Sequence, residues 1–148
     1  MEKYYVTVEI DGTTRWHKNA KCTLLHRIGG PAVVQANGDK WWCVNNNFHR
    51  EDGPAQECAD GSKSWYKNGL THREDGPAID NADGYKAWCI DGKYHRTDGP
   101  AIEYPDGQKQ WYVNGNELSE AEFNARNHPA CVDKTITIDG VNYKLTKI

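Results

Sequence analysis

The side chains best equipped for chemistry recur on a fixed spacing. His49-Arg50-Glu51-Asp52-Gly53-Pro54-Ala55 returns as His72-Arg73-Glu74-Asp75-Gly76-Pro77-Ala78 and again as His95-Arg96-Thr97-Asp98-Gly99-Pro100-Ala101. A weaker copy, His26-Arg27-Ile28-Gly29-Gly30-Pro31-Ala32, precedes them, and each His follows the last by 23 residues. Two readings of this ladder are open. The row Arg27, Arg50, Arg73 and Arg96 could receive a small anion or nucleotide, because a guanidinium fork matches carboxylate or phosphate bidentately. Alternatively Asp52, Asp75 and Asp98, two residues after their Arg, satisfy it internally. The His then packs on a Trp and bonds a backbone carbonyl, and the whole element holds its unit together.

Metal and catalytic chemistry find less support. Zinc needs ligands converging to about 2.3 Å from one point, whereas groups one unit apart in a stacked sheet lie roughly 10 Å from each other. Cys22, Cys43, Cys58, Cys89 and Cys131 form no Cys-x-x-Cys pair. The sequence contains no Gly-x-Ser-x-Gly, P-loop or His-Glu-x-x-His. Glu51-Asp52 and Glu74-Asp75 are sequence neighbours whose side chains diverge, which suits turns better than an acid/base pair. No catalytic residue, metal or cofactor is expected, and no enzyme.

The 148-residue chain is one domain's length. Leu, Ile, Val and Phe number only 23, but 6 Trp and 8 Tyr replace the missing aliphatic volume, and the net charge is only -3. A folded chain is therefore expected rather than a disordered one. Charge runs from weakly basic over residues 1–48 to weakly acidic over 49–117, so there is no basic groove for nucleic acid. No apolar run approaches a membrane span, and no apolar segment follows Met1-Glu2-Lys3-Tyr4-Tyr5 to make a signal peptide. A cytoplasmic protein with reduced thiols is expected.

The elements that must carry the ladder follow from its period. Gly38, Gly61, Gly84 and Gly107 keep the 23-residue step, as do Lys40, Lys63, Lys86 and Lys109 and Trp42, Trp65, Trp88 and Trp111. Each unit reads as two short strands and two turns: an Asp-Gly turn such as Asp60-Gly61, read as a two-residue type I′ turn, and an Asn-Gly turn such as Asn68-Gly69. The fold expected is all-β, a repetitive antiparallel β-hairpin meander or solenoid. Residues 1–25 supply an N-terminal strand and a partial unit with three extra residues before His26. Residues 26–117 supply four full units, and 118–148 a short helix and capping hairpin. Ser119 and Glu122 form a capping box for that helix, which should run to about Arg126. The hairpin covers 135–145.

With a two-residue turn, Gln56 faces Trp65 and Cys58 faces Lys63. Alternation then gathers Trp42, Trp65, Trp88 and Trp111 with Val33, Ile79 and Ile102 on one face, read as the core. The opposite face collects Ala32, Ala55, Ala78 and Ala101, together with Trp41, Tyr66, Tyr112, Glu57, Asp80 and Glu103. That mixed face is the candidate protein-binding surface, with Trp41 as an interface anchor.

The 23-residue step, the Trp-Tyr-x-Asn-Gly turn and the Asp-Gly turn resemble MORN-type repeats. The His-Arg-x-Asp-Gly-Pro-Ala form is similar to repeat proteins of bacteriophages and giant viruses. The resemblance covers about residues 11–117, and the His-Arg-x-Asp-Gly-Pro-Ala element stands where ordinary MORN repeats carry Gly-x-Gly. It implies a non-enzymatic binding module, a viral accessory protein that occupies a host or defence protein in a bacterial cytosol. A receptor or sponge for a small anion, using the Arg ladder, and a structural module of a larger assembly are the alternatives.

Overall fold

The computed structural model describes residues 3–127 and the strands Thr135–Ile138 and Val141–Lys144. Cys131 and the expected 139–140 turn lie outside the described residues. The chain is mostly β. An eleven-stranded antiparallel sheet runs in sequence order from Tyr5–Val8 to Asn116–Leu118. Every unit adds two strands to it, for example Gln56–Glu57 and Lys63–Ser64. Beyond Trp42, Trp65 and Trp88 the chain leaves this sheet and makes a small outer hairpin: Cys43–Val44 with Asn47–Phe48, Tyr66–Lys67 with Leu70–Thr71, and Cys89–Ile90 with Lys93–Tyr94. The sheet does not close on itself.

The two turn types differ in length, and this decides which side chains are inside. The outer turn is a two-residue type I′, as expected: Asn68 and Gly69 both have positive φ, 52° and 85°. The inner turn corrects the expectation. The Cys58 N–H donates to Ser62 O at 2.9 Å and the Gly61 N–H to Cys58 O at 3.0 Å, with only Gly61 at positive φ. Three residues, Ala59 to Gly61, therefore make the loop, closed by a glycine bulge. Gln56 stands opposite Ser64 rather than Trp65, and Glu57 opposite Lys63.

A slip of one residue carries every side chain to the other face. The alanine row, assigned by alternation to a binding face, is the centre of the core: Ala32, Ala55, Ala78 and Ala101 are all 0% exposed. Val33, Cys43, Ala87, Cys89, Ile102 and Val113 join them. Tyr85, Tyr104 and Tyr112 pack against the cluster of Ala78, Ala87, Cys89 and Ile102. Small side chains suit this place because successive units abut there, with the Trp65 N–H bonded to Ala78 O and the Ala78 N–H to Ala87 O, each at 2.8 Å. The tryptophans Trp42, Trp65 and Trp88 are half-buried at the bend between the sheet and the outer hairpins.

The register also builds a charge ladder across the sheet. Lys40 pairs with Glu57, Glu57 with Lys63, Lys63 with Asp80, Asp80 with Lys86, Lys86 with Glu103, and Glu103 with Lys109. Alternating signs opposite each other favour this register over its neighbours, at about 0.2–1 kcal/mol per pair. Arginines, not these lysines, lie along the indoles.

At the C-terminal end the capping box forms as expected. The Glu122 N–H donates to Ser119 Oγ at 3.2 Å, and the Ser119 N–H donates to Glu122 Oε2 at 2.8 Å. The helix runs over Glu120–Asn127 and buries Phe123. No helix among the described residues is long and apolar enough to cross a membrane.

Candidate binding grooves

Each His-Arg-x-Asp-Gly-Pro loop is built around its arginine. The guanidinium carbon lies over the indole of the preceding Trp: Arg27 over Trp16, Arg50 over Trp42, Arg73 over Trp65 and Arg96 over Trp88, at 3.9–4.1 Å from the ring centroid. Such a stack contributes about 0.5–1 kcal/mol. Nη1 donates to the carbonyl of the loop proline, at 3.2 Å for Arg50 and Pro54. Nε donates to the aspartate two residues on, at 2.8–2.9 Å for Arg50–Asp52, Arg73–Asp75 and Arg96–Asp98. Those hydrogen bonds hold all three aspartates below the usual carboxylate range. Arg50 and Arg96 reach further, to Glu57 at 2.9 Å and Glu103 at 3.2 Å.

The histidines serve the neighbouring unit. His49 Nδ1 accepts the Asn68 N–H at 3.1 Å, His72 Nδ1 the Asp91 N–H at 3.2 Å, and His95 Nδ1 the Asn114 N–H at 3.1 Å. Each donor is the first residue of a type I′ turn, held at positive φ. The expected bond to a backbone carbonyl is thus replaced by one from a backbone N–H, and the imidazole locks the next outer hairpin in place. The Arg50 N–H does the same at Tyr66 O, and the Arg73 N–H at Cys89 O.

The aromatic residues expected to bind sit within this construction. Trp41 is half-buried, meets Phe48 edge-on at 5.9 Å, and buries its Nε1 without an acceptor among the described residues. Tyr66 lies at 5.1 Å from the same Phe48, and burial raises its phenol pKa. Tyr112 packs against Tyr94 at 5.3 Å. Glu57, Asp80 and Glu103 are rungs of the cross-sheet charge ladder.

What the loops leave open is a row of clefts between successive loops, which the sequence did not reveal. The first lies between the Arg27–Pro31 loop and the Arg50–Asp52 loop, with a volume of about 670 Å³. The second, of about 680 Å³, lies between Arg50–Pro54 and Arg73–Asp75. The third, of about 590 Å³, lies between Arg73–Pro77 and Arg96–Asp98. Their walls are constant arginines and prolines. Residues that change from unit to unit also line them: Ile28, Glu51, Glu74 and Thr97 on the loops, and Val44, Lys67 and Ile90 from the outer hairpins. Burial in the core raises the Cys43 thiol to about 11 and Cys89 in the same direction, so neither is a nucleophile. Among the described residues no three His, Cys, Asp or Glu side chains converge as metal ligands.

Comparison with protein-family models and with curated proteins returns no match.

Proposed function

We propose that the chain is a non-catalytic protein-binding module that holds an extended partner segment along the row of clefts. One observation supports this reading above the others. The groups repeated in every unit are bonded within the frame, while the positions that vary line the clefts. Repeat proteins recognise partners in this way, with a constant scaffold presenting variable side chains at regular intervals. The middle cleft offers Lys67 beside Glu51 and Glu74, a mixed polar surface suited to a partner of alternating charge. The partner is to be sought among bacterial host proteins, where the resemblance to viral repeat proteins would have the module act.

The test uses the tagged full chain and the double charge reversal Lys67→Glu with Glu74→Lys, both exposed positions. The parent chain should capture a partner stoichiometrically from a bacterial lysate. The variant should lose it with an unchanged melting temperature. Capture that survives the reversal places binding outside the clefts and overturns the reading. A chain that captures nothing and has a native mass of two or more copies is an assembly module instead.

A further inference from the structure

The four arginine rungs are not equivalent, and the first has lost both of its carboxylates. Gly29 stands where Asp52, Asp75 and Asp98 stand, and Val34 where Glu57 and Glu103 stand. Gly29 also has φ +75°, a conformation an aspartate would adopt only under strain. The guanidinium is nonetheless held as on the other rungs. It lies 4.1 Å over Trp16, and its Nη1 donates to Pro31 O at 3.1 Å. Arg27 is half-buried and has no carboxylate partner among the described residues, so its Nε–H has no anion to meet. A half-buried guanidinium left without the anion its counterparts have is a receptor with one place unfilled.

The cleft beside it differs in the same sense. Ile28 replaces the polar residue of the later loops and is 64% exposed. With Pro31, Trp42 and Val44 it makes an apolar wall. The far wall carries Arg50, already tied to Asp52, and the exposed Glu51. The charges around the cleft therefore cancel, and a doubly charged phosphate would face two carboxylates for its two cations. A single carboxylate on an apolar body fits better.

We propose that the first cleft is a binding site for a monocarboxylate carried on an apolar group, received by Arg27 Nε and packed on Ile28 and Trp42. The carboxylate occupies the position that Asp52 fills on the second rung. The source is either a peptide's hydrophobic C-terminus or a free aryl-alkyl acid. The inference concerns one cleft of the row. It stands whether or not a protein partner lies along the others, because its probes are small.

The probes are N-acetyl-Leu-Phe as the free acid, the same dipeptide as its amide, 3-phenylpropionate and inorganic phosphate. Each is titrated to millimolar concentration against the full chain, following the Arg27 Nε–H and Trp16 Nε1–H resonances. The free acid should move both, the amide and phosphate neither. Response to 3-phenylpropionate as well identifies a small-acid site; response to the dipeptide alone identifies a C-terminus reader. Arg27→Gln should weaken binding about tenfold or more. Val34→Glu, at a half-buried strand position, provides a second variant whose folding is checked by its melting temperature. It sets a carboxylate opposite Lys40 within reach of Nη1, as Glu57 is on the second rung; Nε stays open, but the guanidinium charge is neutralised, so binding should weaken several-fold rather than vanish. No shift with any acid, equal shifts with acid and amide, equal shifts with phosphate, or undiminished binding in a folded Val34→Glu chain each overturn the proposal.

Discussion

Replacing Gly53 with alanine should destabilise the protein through a collision with arginine, and the sign of the effect should reverse when that arginine is removed. Gly53 does not have a positive φ, so alanine fits its backbone. A methyl there would sit 3.0 Å from Arg50 Cζ and 3.1 Å from Nη2, closer than ordinary contact. The guanidinium must move, weakening its stack on Trp42 and its bond to Pro54 O. Those losses amount to about 1–2 kcal/mol. Reduced freedom of the unfolded chain offsets them by about 0.4–1 kcal/mol. The net cost is about 0.5–1 kcal/mol, a fall of roughly 1–4 °C in melting temperature. In an Arg50→Ala background only the second effect remains, so Gly53→Ala should stabilise by about 0.4–1 kcal/mol. Urea denaturation of the four proteins of this cycle, followed by tryptophan fluorescence, gives the coupling directly. Gly61→Ala is the control: its φ of +94° strains any side chain, nothing lies within 4 Å, and its cost should be the same in both backgrounds. Equal effects of Gly53→Ala with and without Arg50 would refute the reasoning.

Three further outcomes are expected. At about pH 8, near the ordinary thiol pKa, iodoacetamide should label Cys22 well before Cys43 or Cys89 in the folded chain, as mass spectrometry of peptides can show; rapid labelling of Cys43, whose burial raises it to about 11, would contradict its place in the core. Trp41→Ala should cost about 2–3 kcal/mol of stability, somewhat below a fully buried Trp, because Trp41 packs on Phe48; a variant that keeps its melting temperature shows that packing to be dispensable. Burial, and secondly the Arg15 charge, lower the pKa of His17 in the folded chain below 6.5. The unfolded chain therefore takes up that proton first, so stability is complete above pH 6.5 and declines as pH falls below it. The aspartates paired with Arg50, Arg73 and Arg96 are depressed from 3.8, so they add a second decline as pH falls below that value. His17→Asn should remove the upper step in a urea midpoint against pH series and leave the lower.

The parts of this fold that could be read from residues are those set by local chemistry. Asn68-Gly69 demands two positive φ values, and Ser119 with Glu122 demands a helix start; both appear as expected. Asp60-Gly61 is ambiguous, because one glycine at positive φ serves a two-residue and a three-residue loop alike. That single ambiguity put the alanine row on the surface when it is core and placed Trp41 outside when it packs on Phe48, while Val33 and Ile102, read as core, are indeed buried. The pairing of Arg with Asp two residues later was legible from their common step. The stacking of Arg on Trp had a signal too, since the two types recur eight residues apart in three units, from Trp42 to Arg96. The clefts had none, because they arise from the distance between loops of different units.

The partial first unit shows where this chain accepts extra length. Between His17 and Leu25 it carries three more residues than the corresponding stretch from Cys43 to Phe48. Arg27 still covers Trp16, and the His26 N–H still reaches Trp16 O at 3.0 Å, as His49 does at Trp42. The added residues bulge from the tip of the outer hairpin and leave the sheet undisturbed. A one-residue insertion in a sheet strand would instead turn the side chains beyond it in that strand to the opposite face. The tip at 18–24 is therefore a natural graft point for a foreign loop, whereas the tips at 68–69 and 91–92 are tied to the preceding unit through His49 and His72 and would lose those bonds.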